Sequence, residues 1–164
     1  MSIAIYPGSF DPVTLGHLNI IKRASQCFEK VIVCVMINSK KTGMFTPEER
    51  VEMLRQTTAR FPNVEVDFSD ELLAAYAKRR DAHVLVKGLR AVSDYEYEVQ
   101  MAVINRKLNP DLETMFLASS EKYTYLSSTI VKEMARYGCN LADFLPREII
   151  DEVNQRMNEL QGKE

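Results

Sequence analysis

Cysteine is scarce in this chain. The three that occur, Cys27, Cys34 and Cys139, are odd in number and show no CxxC or metal-like spacing. Neither a disulfide framework nor a cysteine metal site is therefore expected. Free cysteine is among the most buried residue types, so Cys27 and Cys34 read as core residues. Unpaired thiols suit a cytoplasmic protein. No apolar run is long enough for a membrane span, and no basic-then-apolar leader opens the sequence; neither membrane nor export is expected. Charge of one sign is not in excess, since 21 basic residues face 23 acidic ones for a net charge of −2. That balance gives no sign of a general polyanion binder, while leaving room for a local basic patch. With no RNA or DNA motif present, nucleic acid is not an expected partner. Repeats, linkers and low-complexity tracts are lacking as well. The reading is one domain over residues 1–164 around one core.

What is present alternates. Ile3 to Pro7 is a short apolar strand, and Lys30 to Ile37 (KVIVCVMI) is β-branched and almost wholly apolar. A strand covered by helices on both faces reads that way. Asn63–Phe68, Ala82–Lys87 and Glu113–Leu117 are three further strands. Between them Leu18, Ile21 and Phe28 recur at helical spacing. Thr46 with Pro47 and Glu49 forms a capping box for a second helix. Ser69 or Asp70 is the expected start of a helix to Arg80. Ser93 to Glu96 reads as another capping box, opening a helix to about Leu108. Ser127 or Ser128 starts a helix ending near Gly138, and the last helix spans about 146–160 from Pro146. The fold class is α/β: a doubly wound sheet of about five parallel strands. Ligands of such sheets bind at the carboxyl ends of strands, where PGSFDP, NSKK, KGLR and YTYLSST all fall.

Four constellations on that edge can meet phosphate. Thr14 and His17 share a helical face, Gly16 lets phosphate approach the backbone, and His17 can donate an N–H to a phosphate oxygen. Gly8-Ser9 adds a loop hydroxyl. A plain helix start would explain the same residues. Lys40 and Lys41 form a basic pair after the second strand, either solvated or in contact with phosphate. Lys87-Gly88-Leu89-Arg90 places two cations at a strand end, where Arg offers a planar fork. Gly88 suggests that the backbone passes close to something there. Hydroxyls in Tyr123–Thr129 fit helix caps and phosphate equally well. The helix from Ser93 carries two apolar stripes, Tyr97/Met101/Ile104/Leu108 and Tyr95/Val99/Ala102, of which one faces the sheet and the other needs a partner.

These residues resemble a known family over nearly the whole chain. Thr14-Leu15-Gly16-His17 is similar to the (T/H)xGH signature of the nucleotidyltransferase superfamily, and Leu126-Ser127-Ser128-Thr129 to its ISS(S/T) signature. YPGSFDP, KKTGMF, KGLRAVSDYEYE and SSTIVKE, in that order, resemble the bacterial phosphopantetheine adenylyltransferases. The resemblance implies adenylyl transfer from ATP to 4′-phosphopantetheine, giving dephospho-coenzyme A and pyrophosphate, with Mg²⁺ carried mainly by the ATP phosphates and no protein metal site. It also implies a Rossmann-like nucleotidyltransferase fold and a homohexamer. Ser9 and Phe10 match a turn touching both substrates, and His17 a triphosphate contact. Lys41 matches a lysine near both reacting phosphates, with Leu73 and Lys87 on the phosphopantetheine side. Gly88, Leu89, Arg90, Glu98 and the run Tyr123, Thr124, Tyr125, Leu126, Ser127, Ser128 and Thr129 match ATP contacts. His17, Lys41 and Arg90 would be the catalytic group.

Three positions depart from the family. Lys87 stands where Arg is usual, Tyr123 where Trp is common, and Gly43 where Pro is frequent, which would loosen the lysine loop. The expected chemistry is in-line attack of an already anionic phosphate on the α-phosphorus, with no covalent intermediate and no base. Two other readings are nucleotide transfer to nicotinamide mononucleotide or to glycerol or choline phosphates, and a regulatory nucleotide-binding module without turnover. The nicotinamide type usually carries Arg in the second signature, where this chain has Lys132.

Overall fold

The computed structural model of the chain describes residues 2–162, leaving out the side chains of residues 92 and 93. Five strands form one sheet: β1 (Ile3–Gly8), β2 (Lys30–Met36), β3 (Val64–Ser69), β4 (Val84–Leu89) and β5 (Glu113–Ala118). Their order is β3-β2-β1-β4-β5, and every pairing is parallel. Six α-helices connect and cover them: α1 (Leu15–Cys27), α2 (Pro47–Thr58), α3 (Leu73–Arg79), α4 (Val92–Leu108), α5 (Ser128–Arg136) and α6 (Ile150–Leu160). Short 3-10 turns occupy Glu121–Tyr123 and Arg147–Ile149.

The central strands show why the sheet is covered on both sides. Successive side chains of a strand point to opposite faces. Val31, Val33 and Val35 of β2 join one buried cluster, with Leu18 and Ile21 of α1, Leu54 of α2, Val131 of α5 and Val153 of α6. Ile32 and Cys34 join the other, with Ala74, Tyr76 and Ala77 of α3. An all-apolar strand is the only pattern that fills both faces, and KVIVCVM supplies it.

Local signals set the ends. The Thr46 hydroxyl accepts from Glu49 N while the Glu49 carboxylate accepts from Thr46 N, so the capping box at α2 is formed, with Pro47 following it. Ser127 caps α5 by accepting from Ile130 N. Three helices begin elsewhere than their sequences predict. The last, α6, starts at Ile150 rather than Pro146, because residues 147–149 form a 3-10 turn ahead of it. The α3 helix starts at Leu73, because the Ser69 hydroxyl is used in a turn that accepts from Glu71 N. The α4 helix starts at Val92 with Ala91 as its cap residue and no side-chain cap. Ser93 thus lies within the first turn, and its side chain is outside the described residues. Cys34 is buried as expected, but Cys27 is exposed, as the last residue of α1. The β4 strand continues through Leu89, because Lys87, Gly88 and Leu89 pair with Phe116, Leu117 and Ala118. Among the described residues, no helix is long and apolar enough to cross a membrane.

Candidate active site

The sheet order reverses at β1, whose neighbours are β2 on one side and β4 on the other. A crevice opens at the carboxyl ends of strands at such a switch point. Here it is a cavity of about 310 Å³, walled by the turn after β1, the first turn of α1, the end of β4 and the start of α5.

The turn after β1 is shaped around an aromatic ring. Phe10 takes a left-handed backbone, φ 48°, which is uncommon for a residue with a Cβ. Its ring folds back against Tyr6 and His17, with centroids 5.3 and 5.0 Å away, both edge-on. A Cβ at Gly8 would lie 3.0 Å from that ring, so any larger residue would press on it. Ser9 stays on the cavity wall.

Thr14 and His17 form a reciprocal cap at the start of α1. His17 N donates to the Thr14 hydroxyl at 3.3 Å, and Thr14 N donates to His17 Nδ1 at 3.0 Å. Because Nδ1 accepts a backbone N–H, the ring proton of the neutral imidazole sits on Nε2. Burial, then the positive charges of Arg90 and Lys87, push the His17 pKa down from 6.5 to about 4. The side chain is therefore a neutral Nε2–H donor at neutral pH. Gly16 borders the same cavity, and the positive end of the α1 dipole adds to it.

The start of α5 faces α1 across the cavity. Here both uses of the hydroxyls come together. The Ser127 hydroxyl caps the helix, and the Ser128 hydroxyl donates to Pro12 O at 2.7 Å, yet Ser127, Ser128 and Thr129 all line the cavity. Tyr123 and Leu126 do too. Thr124 and Tyr125 do not: Thr124 donates to Glu121 O, and the half-exposed Tyr125 ring packs edge-on against Phe144. At the end of β4, Arg90 donates to Leu126 O at 2.8 Å and lies 3.4 Å from Asp94. Lys87 pairs with Glu98 at 3.4 Å. What Gly88 passes close to is the side chain of Ile20, 3.1 Å from the place a Cβ would take. Leu89, whose backbone pairs with Ala118, is not on the wall.

Leu73 and Lys41 also lie off this cavity, each beside another hollow. Leu73 lines a smaller, adjoining cleft of about 100 Å³ with Leu85, Tyr97, Met101 and Asn105, and that cleft shares Lys87 and Glu98 with the larger cavity. Lys41 is exposed on the loop between β2 and α2, beside a separate hollow of about 440 Å³. Sequence reasoning missed Asp11, a buried carboxylate in the turn after β1. The only signal for it was an acidic residue set between Phe10 and Pro12.

Comparison with known proteins decides what this arrangement belongs to. Residues 5–134 match the cytidylyltransferase-like family. Over 156 residues the chain is 52% identical to the phosphopantetheine adenylyltransferase of Caldanaerobacter subterraneus subsp. tengcongensis, covering 95% of this chain and 98% of that one. It is 48% identical over 158 residues to the phosphopantetheine adenylyltransferase of Clostridium botulinum strain Hall, covering 96% of each. The chain belongs to the phosphopantetheine adenylyltransferase family. It is a nucleotidyltransferase with a Rossmann-like α/β fold. The same fold is seen in the crystal structure of a candidate nicotinate-nucleotide adenylyltransferase from Vibrio parahaemolyticus, with a TM-score of 0.71 over 96% of this chain and 95% of that one at 18% identity. A Plasmodium falciparum nicotinic acid mononucleotide adenylyltransferase superposes with a TM-score of 0.65 over 96% of each chain at 15% identity.

Proposed function

We propose that this chain transfers the adenylyl group of ATP to 4′-phosphopantetheine, releasing pyrophosphate and dephospho-coenzyme A, the penultimate step of coenzyme A synthesis. One observation carries the reading. A polar cavity bounded by two helix N-termini adjoins an apolar cleft, and Lys87 and Glu98 belong to both. The cavity suits a triphosphate and the cleft a slender, mostly apolar arm, with the reacting phosphates meeting near Lys87. In this family the likeness in sequence extends over both halves of that arrangement.

The chemistry follows from the charges. An oxygen of the acceptor phosphate attacks the α-phosphorus in line, the bond to the bridging oxygen of the β-phosphate breaks, and pyrophosphate leaves. The nucleophile is anionic at neutral pH, so the protein need only position the reactants and offset charge. His17 donates from Nε2 to an oxygen of the triphosphate. Arg90, held by Leu126 O and Asp94, presents a fixed guanidinium. The amides at the starts of α1 and α5 serve as preorganised donors. Ser9 and Phe10 border both substrates, Lys87 and Leu73 the acceptor. Lys41 is assigned to the reacting phosphates by the family resemblance, from an exposed loop beside the separate hollow.

Magnesium arrives as part of the nucleotide. Among the described residues, no three His, Cys, Asp or Glu side chains are grouped to hold a metal. Glu98, a carboxylate on the cavity wall, is already paired with Lys87. An ion held by the ATP phosphates would need no protein cage here, and it would supply positive charge beside the leaving pyrophosphate.

The further expectations join this proposal: a single domain, a cytoplasmic setting and a homohexamer. For the assembly the support is α4, where Tyr95, Tyr97, Val103, Ile104 and Leu108 are all exposed. Light scattering behind size exclusion tests it; a monomer at micromolar concentration refutes it. The reaction is tested by pyrophosphate release from ATP with 4′-phosphopantetheine, nicotinamide mononucleotide or glycerol 3-phosphate as acceptor. Turnover with the first is expected, and turnover with either of the others alone refutes the substrate assignment.

A further inference from the structure

The loop that carries Lys41 is exposed through residues 38–42, yet one end of it is held by an unusual concentration of charge. Asp11 Oδ2 accepts from Met44 N and Asp11 Oδ1 from Phe45 N, both at 2.9 Å. Arg156 of α6 donates to Met44 O, and Arg50 of α2 donates to Phe45 O, both at 2.8 Å. All four backbone polar groups of Met44 and Phe45 are therefore taken by charged side chains from three different parts of the fold. The Arg156 guanidinium also lies 4.8 Å above the Phe45 ring and pairs with Glu49.

Asp11 is the centre of this arrangement. Its side chain is buried. Lys132 of α5 donates to it at 2.7 Å, and Arg50 Nε lies 3.3 Å away. Burial alone would raise the carboxyl, but the Lys132 hydrogen bond and the two backbone donors outweigh it and hold Asp11 below its ordinary value. Arg50 also donates to Ser9 O at 3.4 Å, so the same pair of side chains grips the turn that walls the nucleotide cavity. The loop passes directly over the pair: a Cβ at Gly43 would stand 1.8 Å from Arg50 Nη2 and 2.9 Å from Asp11 Oδ2. The backbone at Gly43 therefore comes closer to its anchor than a residue with a side chain could without moving Arg50. On the other side of Lys41, Asn38 closes a turn by accepting from Lys40 N and Lys41 N, both at 3.0 Å.

We propose that Asp11 is a positioning residue for Lys41. Its two carboxylate oxygens fix Met44 and Phe45, three and four residues beyond the lysine, and couple the lysine loop to the turn after β1 and to α5. The inference rests on the role given to Lys41 above. Lys132, whose place in the second signature an Arg would take in the nicotinamide type, serves here to hold that carboxylate rather than to line the cavity.

Asp11→Asn keeps the shape but not the function. The amide offers one acceptor for two backbone donors and turns an NH₂ group toward the other donor and Lys132. Misplacing a reacting group by about 1 Å costs on the order of 10²-fold in rate. Asp11→Asn is therefore expected to lower kcat roughly 10- to 100-fold in the pyrophosphate assay, with KM for ATP held within about twofold. The deciding measurement is a double-mutant cycle with Lys41→Ala, which separates action through Lys41 from general damage. In the Lys41→Ala background, Asp11→Asn should cost less than about threefold. Hydrogen exchange of segment 38–45 should quicken in the single variant. Wild-type kcat in Asp11→Asn, or the same fold-loss with and without Lys41, overturns the proposal. Wild-type kcat in Lys41→Ala overturns the role of Lys41 itself, a result readable before Asp11 is touched. Should Asp11→Asn not fold, Arg156→Gln frees Met44 O from the surface helix α6. It is expected to lose kcat about three- to tenfold with the same lack of additivity, and additive loss there counts against the proposal equally.

Discussion

Acid should weaken this fold through His17 in a way that one substitution removes. The imidazole is neutral in the folded chain because Nδ1 accepts the Thr14 N–H and because burial, Arg90 and Lys87 oppose a second proton, so its pKa falls from 6.5 to about 4. The unfolded chain carries the ordinary value. As pH drops through 6.5 the unfolded state takes up the proton first, and stability falls; the loss is complete only below pH 4. Linkage with these two values gives about 2 kcal/mol lost between pH 7.5 and pH 5, of a full span of about 3 kcal/mol. In His17→Asn the side-chain oxygen can still accept from Thr14 N, but nothing titrates. Urea unfolding at pH 7.5 and 5.0, at equal protein concentration, should show wild type losing about 2 kcal/mol more than His17→Asn. The carboxylates Asp11, Glu49 and Glu65, all lowered by their partners, titrate alike in both proteins and cancel. Parallel pH profiles would refute the neutral, Nδ1-accepting state, and with it the Nε2–H donor assigned to catalysis.

Three further outcomes are expected. His17→Ala should lower kcat by about 10²–10³ with KM for ATP changed only a few-fold, as for loss of one transition-state donor; near-normal turnover would remove His17 from the catalytic group. Ser127→Ala deletes the cap bond to Ile130 N and should cost about 1 kcal/mol, read as a fall of roughly 2–4 °C in Tm. Ellman's reagent should titrate Cys27 and Cys139 quickly in the native protein, and Cys34 only after denaturation. The first two are exposed, whereas Cys34 is buried and its thiol is pushed up to about 11, chiefly by that burial; a third fast thiol would contradict the packing around Tyr76.

How much was legible in advance depended on how local the cause was. The β2 strand could be read because its neighbours on both faces demand the same apolar residues, and α2 because Thr46, Pro47 and Glu49 act within one turn. The cap between Thr14 and His17 is equally local, yet the spacing of three reads in the sequence only as a shared helical face, because histidine is not a usual capping-box partner. The start of α3 was misread because Ser69 had two equivalent uses, cap or turn, and only tertiary structure chose the turn. Cys27 failed for the complementary reason: composition says that cysteine tends inward, but its position on α1 faces outward. The anchor at Asp11 was beyond reach. Its partners lie 33, 34 and 121 residues away, so no window of sequence contains the pattern.

The order β3-β2-β1-β4-β5 also sets a timetable for synthesis. The strands β1, β2 and β3 are neighbours in both chain and sheet, so this half can pair once Ser69 has left the ribosome. The opposite wall must wait for β4, whose Val84 pairs back with Ala4, and for the α5 cap at Ser127. Contacts of such long separation are slow to close because the intervening loop must be ordered first. A nascent chain whose exposed part ends between residues 70 and 80 would own a β-sheet edge along β1 but no place for a nucleotide. Substrate can therefore stabilise only the nearly finished molecule, and the exposed flank of β1 is the surface a chaperone would have to guard until then.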